Sequence, residues 1–235
     1  NMGNLDLYNF VDNHDVERIY TKLSNKAHFT PVHILLYTLP GIPSIYYGSE
    51  FGIEGRKERS SDDSLRPALN ITDYKDAVTS NPCTALITAL GKIRQHTPAL
   101  SYGSYTELQL TNRQYAFARD LDNMRVIITV NNDDNDAWMN LPAGNAAEYV
   151  GTLTGQKVAV EGGCINVCVG ANSGEIWVPT EDTSVPETFS ENKDSIVEET
   201  PVTQEEVKNE GSAETKTAPA SSIPEAASTK EDTDR

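Results

Sequence analysis

The chain has 235 residues and a formal net charge of −16. That length allows one or two ordered domains, and the acidity argues against nucleic acid as a partner, because it repels phosphate. No apolar run approaches the ~18–20 residues that span a bilayer, so no membrane partner is expected; nor do Asn1-Met2-Gly3-Asn4-Leu5-Asp6 resemble a secretion signal.

Leu5–Val11 alternates and is rich in β-formers, so it is expected to be a strand. It runs into the polar cluster Asp12-Asn13-His14-Asp15. The stretch Asn25–Leu39 places Val32, Leu35, Leu36 and Leu39 at helical spacing, with Thr30-Pro31 as candidate N-cap and first helical residue. Pro40-Gly41 stops that helix. Ile42–Tyr47 is a short apolar run of the kind buried in parallel sheets. Gly48–Ser80 is polar and glycine-dotted, a long loop. A second helix is expected to start with Asn81 as N-cap and Pro82 at the first position, with Leu86, Leu90 and Ile93 on its apolar stripe, and to stop before Pro98. Strand, helix, strand, loop, helix is the pattern of parallel strands joined by crossover helices. Two such units cannot cover both faces of a parallel sheet, so further polypeptide is expected before them.

After Leu100 the rhythm changes to short alternating runs: Tyr105–Leu110, Gln114–Arg119, Arg125–Val130, Lys157–Val160, Cys164–Val169 and Glu175–Val178. Turn-forming clusters lie between them, at Asn131–Asn135, Pro142-Ala143-Gly144 and Gly162-Gly163. An antiparallel sandwich of about eight strands is expected, with Trp138 and Trp177 in its core. Cys164 and Cys168 lie four apart in one alternating run, so their Cα atoms would stand about 13 Å apart, too far to bridge. Together with Cys83 they read as free thiols, which favours a reducing compartment such as the cytoplasm. Thr180–Arg235 holds 15 acidic against 5 basic residues, −10 of the −16 total. So little apolar surface cannot offset an ordering entropy of roughly 1–2 kcal/mol per residue, and a disordered tail is expected.

The residues Phe10–Asp15 stand at the carboxyl end of a presumed parallel strand. Two readings fit them. Asp15 caps a short helix at Val16–Tyr20 and His14 is a loop histidine, or the cluster belongs to an active site. The segment resembles the fourth signature region of the α-amylase family of glycoside hydrolases, Phe-x-(Asp/Glu)-Asn-His-Asp. Gly41-Ile42-Pro43-Ser44-Ile45-Tyr46-Tyr47-Gly48-Ser49-Glu50 resembles that family's eighth-strand motif, Gly-x-Pro-x-x-Tyr-Tyr-Gly-x-Glu. The two motifs occur in the family's order, separated by a helix of suitable length.

The resemblance implies an α/β fold: the C-terminal part of a (β/α)8 barrel in residues 1–97, an all-β antiparallel sandwich in 98–179, and the disordered acidic tail in 180–235. It implies retaining chemistry on α-glucosidic bonds of starch, maltodextrin or related α-glucans, in a maltodextrin- or neopullulanase-like branch, with no cofactor. Asp15 corresponds to the carboxylate that grips sugar hydroxyls beside the scissile bond, and His14 to the histidine bonded to the same sugar. Asn13 is expected at the substrate as well, or in support of the loop. Asp62 and Arg66 resemble a loop element, Asp-x-x-x-Arg, that contacts the next sugar; the plainer alternative is a surface ion pair. Arg18 fits a subgroup carrying Asp-x-x-Arg and is expected to pair with a neighbouring carboxylate or reach the site. Tyr46, Tyr47, Phe51 and Tyr74 are expected in the core, and Glu50 at the rim.

The resemblance breaks at two points. Retaining hydrolysis needs a nucleophile and a general acid about 5–5.5 Å apart, and in the family both lie upstream of the fourth signature region. Neither motif occurs in this sequence, and the family's calcium site also lies largely upstream, so no metal is assigned. The chain is therefore expected to be a C-terminal piece that depends on the missing N-terminal part of the barrel and is inactive alone. The competing expectation is an amylase-like protein that binds carbohydrate or assembles without catalysing; a third makes the sandwich a carbohydrate-binding module.

Overall fold

The computed structural model describes residues 6–180. The acidic tail, apart from Thr180, falls outside the described residues. The first strand, β1 (Tyr8–Phe10), pairs in parallel with β2 (Ile42–Ser44) in the register Tyr8–Ile42, Asn9–Pro43, Phe10–Ser44. Both are shorter than their apolar runs, because among the described residues each has only the other as a neighbour. Between them lie α1 (Ile19–Lys22) and α2 (Phe29–Thr38).

The start of α2 differs from expectation. Thr30 is not its cap. The Asn25 side chain accepts from Ala27 N at 3.0 Å and opens a 3₁₀ turn over Lys26–His28 that runs directly into the helix at Phe29. Pro31 is then the third helical residue, inside the first turn, where an N–H would have had no intrahelical partner.

The long loop is punctuated by 3₁₀ turns at Ser49–Phe51, Asp63–Leu65 and Ile71–Tyr74, and by the short α3 (Ala77–Ser80). Next comes α4 (Pro82–His96), built at its start as its sequence indicates. Asn81 Oδ1 accepts from Cys83 N (2.9 Å) and Thr84 N (3.2 Å), and Pro82 takes the first position. Pro98 does not end helical structure, since it opens the additional α5 (Pro98–Tyr102), again as a first-turn proline.

Eight strands follow: β3 (Ser104–Leu110), β4 (Gln114–Leu121), β5 (Met124–Asn131), β6 (Ala137–Pro142), β7 (Glu148–Gly151), β8 (Lys157–Ala159), β9 (Cys164–Val169) and β10 (Ser173–Pro179). Six form one antiparallel sheet in the order β3-β4-β5-β10-β7-β8, and β6 pairs with β9. Strand periodicity of two sorts the side chains. On one face of the larger sheet Phe117, Val126, Ile128, Val130, Ile176 and Val178 pack with Ile34 of α2 and Leu90 and Ile93 of α4. On the other, Ala116, Ile127, Tyr149 and Trp177 pack with Met139 and Leu141 of β6 and Ile165, Val167 and Val169 of β9. The helices, the six-stranded sheet and the β6–β9 sheet thus stack as three layers.

Two arginines fasten the helices to the sheet. Arg119 of β4, 2 % exposed, donates to Thr38 O at 2.7 Å and to Gly103 O at 2.9 Å. Arg94 of α4 donates to Tyr37 O (2.6 Å), Leu100 O (3.0 Å) and Gly41 O (2.7 Å). Both satisfy carbonyls at the carboxyl end of α2, where a helix presents unpaired acceptors and partial negative charge. Burial pulls both guanidinium pKa values down.

Trp177 is buried, its Nε1 donating to Thr129 Oγ1 at 3.0 Å. Trp138 is a correction: expected in the core, it is 69 % exposed. Met139 and Leu141 take the inward side of β6, so alternation turns Trp138 outward. Cys83, Cys164 and Cys168 are free, and burial pushes the Cys83 thiol up.

Candidate active site

Parallel pairing brings the carboxyl ends of β1 and β2 together, so the segments leaving them are neighbours. Asp12 turns inward and is almost wholly buried. Its Oδ2 accepts from Ile19 N and from Ser49 Oγ, both at 2.8 Å, so it caps the region where α1 begins and clips it to the turn after β2. The helix starts at Ile19 with Arg18 at its N-cap position, so Asp15 does not cap it, and the Ile19 N–H is met by Asp12 instead. Asn13 Oδ1 accepts from Asp15 N (2.8 Å) and Val16 N (3.1 Å), which bends the loop back. With Asp12 and Asn13 so engaged, His14 and Asp15 are left projecting to solvent.

Arg18 is fully buried. Its Nη1 donates to Tyr47 O (2.5 Å) and Ser49 Oγ (3.1 Å), and its Nη2 to Leu65 O (2.8 Å). The guanidinium carbon lies 4.3 Å from the Tyr46 ring centre and 5.2 Å from that of Tyr47, within cation–π range. Its partners among the described residues are therefore two carbonyls, a hydroxyl and two rings. The expected carboxylate pairing is not made, because Ser49 Oγ stands between Arg18 and Asp12 and bonds both. A buried charge needs such partners. Their effect is to tie the Asp63–Leu65 turn onto the end of β2. Gly55 serves the same junction. Its O accepts from Arg18 N at 3.0 Å and its N donates to Thr21 Oγ1 at 2.8 Å, while an added Cβ would lie 2.4 Å from Ser64 O.

Held this way, the loop delivers Asp62 and Arg66 to Asp15. Arg66 Nη2 lies 3.0 Å from Asp62 Oδ2 and 4.0 Å from Asp15 Oδ1, and Arg66 Nε donates to His14 O at 3.2 Å. Lys57, which sequence reasoning missed, sits between the two carboxylates, 2.5 Å from Asp62 Oδ1 and 3.6 Å from Asp15 Oδ1. The hydrogen bond from Lys57 holds the Asp62 carboxyl below its usual range, with Arg66 and His14 adding to it, and the same bond pushes the Lys57 ammonium up. Four of the expected residues, His14, Asp15, Asp62 and Arg66, thus converge on one surface. Asn13 is beside them, with its carbonyl oxygen committed to the loop.

The pairing of charges is unequal. Asp62 is engaged by both cations at short range, whereas the Asp15 side chain is 65 % exposed and meets them only at their outer reach. Asp15 therefore keeps acceptor capacity for hydroxyl donors, which a carboxylate binds through strong charge-assisted hydrogen bonds. Around the site, Tyr47 is half-exposed and donates to Pro67 O at 3.0 Å, and Phe51 stacks on Tyr74 with ring centres 4.0 Å apart. Tyr47 is less buried than its motif suggests. Glu50 supports the loop through its backbone, its O accepting from Thr84 Oγ1 at 2.8 Å.

Residues 4–101 match the family model described as alpha amylase, catalytic domain. Among curated proteins, the cyclomaltodextrin glucanotransferase of Bacillus sp. (strain 1-1) is 29 % identical over 190 residues, covering 77 % of this chain and 26 % of that protein. The corresponding enzyme of Paenibacillus macerans is 26 % identical over 190 residues, with 77 % and 25 % covered. The chain thus spans about a quarter of the length of the curated relatives it matches. Among solved structures, an Anoxybacillus alpha-amylase superposes with a TM-score of 0.64 at 24 % identity, covering 74 % of this chain and 38 % of that one. At that identity the likeness shows the fold, part of a (β/α)8 barrel architecture. With the motif residues gathered at the ends of β1 and β2, these matches make residues 4–101 similar to the catalytic domain of alpha-amylase family glycoside hydrolases.

Proposed function

We propose that this chain supplies the sugar-gripping side of a retaining active site that processes α-glucans such as starch or maltodextrin. Asp15 binds hydroxyls of the glucose ring at the scissile bond, and His14 bonds the same ring. Asp62 and Arg66, steadied by Lys57, receive the neighbouring sugar, and Asn13 shapes the loop that presents Asp15. The nucleophile and general acid come from the remaining part of the barrel, so the chain by itself does not turn over substrate. The β-strand region acts as a sandwich packed on the barrel's last helices. The relatives' name, cyclomaltodextrin glucanotransferase, supports glucan transfer alongside hydrolysis.

The observation that carries this reading is the exposure of Asp15 beside the Lys57–Asp62–Arg66 cluster at the carboxyl ends of two parallel strands, the end where barrel enzymes build their sites. The transition state resembles an oxocarbenium ion, and hydroxyl contacts that tighten as the ring flattens lower its energy. Removing one such preorganised group costs on the order of 10²–10³ in kcat. The test is to assay maltoheptaose cleavage and transfer by the chain alone and joined to a complete barrel. Activity is expected only in the joined form, and Asp15→Asn should lower its kcat on the order of a hundredfold or more with a smaller change in KM. An Asp15→Asn enzyme that keeps more than about a tenth of wild-type kcat would refute the role.

A further inference from the structure

The outer face of the β6–β9 sheet has no part in the site just described. Alternation turns Trp138 and Asn140 of β6 and Asn166 and Cys168 of β9 away from the core, and the register sets Trp138 opposite Cys168 and Asn140 opposite Asn166. Trp138 and Asn140, two residues apart on one strand, stand about 6.6–6.8 Å apart along it. The two asparagines, directly opposed, bring their side chains side by side. Neither side chain is hydrogen-bonded to any described residue, so each keeps a free carbonyl acceptor and a free amide donor. Next to them opens a concavity of about 510 Å³ bounded by Gln156, Lys157 and Glu161 as well as Asn140 and Asn166. Trp138, the one large apolar side chain exposed on these two strands, does not line that concavity but stands one outward position along β6 from Asn140, which does.

A protein-binding surface of this size would need an apolar centre. Here a single flat indole stands opposite Cys168 and one outward position from the Asn140–Asn166 amide pair, which lines a concavity together with Lys157 and Glu161. That combination suits a ligand with one apolar face and a rim of hydroxyls: the C–H face of a pyranose lies on the ring, and its hydroxyls exchange hydrogen bonds with the amides. The layer order also matters. This face is the outermost of the three layers, on the side of the six-stranded sheet away from α2 and α4, so packing of the helices leaves it free.

We propose that Trp138, Asn140 and Asn166 form a second carbohydrate site that holds an α-glucan chain away from the candidate active site. The choice of an α-glucan over other pyranose polymers rests on the proposed function; the site itself rests on the geometry of the sheet. Holding a second segment of a long substrate raises its effective concentration at the first site without any new contact there.

Of the chain's two tryptophans, Trp177 is sealed in the core, so a saturable change in indole emission on adding maltoheptaose to the full 235-residue chain would report on Trp138. Calorimetric titration of variants then assigns the site. Trp138→Ala and the double variant Asn140→Ala/Asn166→Ala should each weaken maltoheptaose binding at least tenfold with an unchanged circular dichroism spectrum, and cellohexaose should bind more weakly. Binding that survives Trp138→Ala, or no saturable binding at about ten millimolar sugar, overturns the inference. Binding lost in Asp15→Asn but kept in Trp138→Ala overturns it too, while supporting the proposed function. Equal binding of cellohexaose, abolished by Trp138→Ala, overturns the α-glucan assignment.

Discussion

The strand pair β1–β2 and the central strands β5 and β10 are built from equally apolar sequence, yet they end in opposite surroundings. Leu7, Tyr8, Phe10 and Ile42 are exposed, whereas Ile127, Ile128, Ile176 and Trp177 are buried completely or nearly so. The cause is the number of neighbours. β5 has β4 and β10 beside it, helices on one face and β6–β9 on the other; among the described residues β1 has only β2. The first region owes its order to α2 and α4, which rest on the large sheet through Ile34, Leu90 and Ile93, and to buried polar clips around Asp12 and Arg18. Apolar strands alone are therefore not what stabilises it.

The largest expected effect tests this contrast directly. Phe117→Ala, at the face shared by sheet and helices, should cost roughly 3–5 kcal/mol, read as a lower urea midpoint. Tyr8→Ala, on the exposed pair, should cost well under about 1 kcal/mol, as surface changes do. Similar losses at the two positions would erase the distinction. Arg119→Met comes next. It removes donors from Thr38 O and Gly103 O, and leaving such buried acceptors unpaired costs about 1–3 kcal/mol. If thermal melts of this variant and the wild type coincide, the arginine is not a joint between the regions.

The smallest effect depends on pH. His33 of α2 is buried, stacked on Phe29 at 3.8 Å between ring centres, with Nδ1 bonded to Phe29 O at 2.8 Å. Burial pulls its pKa below 6.5, against smaller opposing effects of the Phe29 bond and Asp12. The folded imidazole thus stays neutral where the unfolded one takes up a proton. Stability contributed by the neutral form is full above pH 6.5 and is lost as pH falls below that value towards the folded pKa, by at most about 1.4 kcal/mol per pH unit. His33→Gln should flatten the urea midpoint between pH 5 and pH 7. An unchanged slope in that variant would assign the pH dependence to other groups.

Sequence made some of this legible, and the divide follows the range of the interactions. Asn81-Pro82 marks the start of α4 because a cap and a first-turn proline act within three residues. β9 was found at its observed limits because Cys164–Val169 alternates cleanly. β6 and β7 were missed: Ala137–Pro142 ends in proline and Glu148–Gly151 is only four residues long, so each becomes a strand through its partner. At the candidate site, His14, Asp15, Asp62 and Arg66 were visible through motif spacing. Lys57 carries no signal of its own, since it reaches Asp15 only after Arg18 has drawn in the loop from 47 positions away in sequence. The outward turn of Trp138 was equally hidden, because the parity of β6 is set by which side its partner β9 covers.

The bonds from Arg119 to Thr38 and from Arg94 to Tyr37 and Gly41 give the β-strand region a duty at a distance. These carbonyls stand just before β2, and the far end of β2 opens into the loop that presents Lys57, Asp62 and Arg66. The sheet works as a jig that sets the root of that strand. An insertion or truncation after Gly103 would then shift the Lys57–Asp62–Arg66 cluster while touching none of its residues, which gives evolution a reason to keep the two modules on one polypeptide.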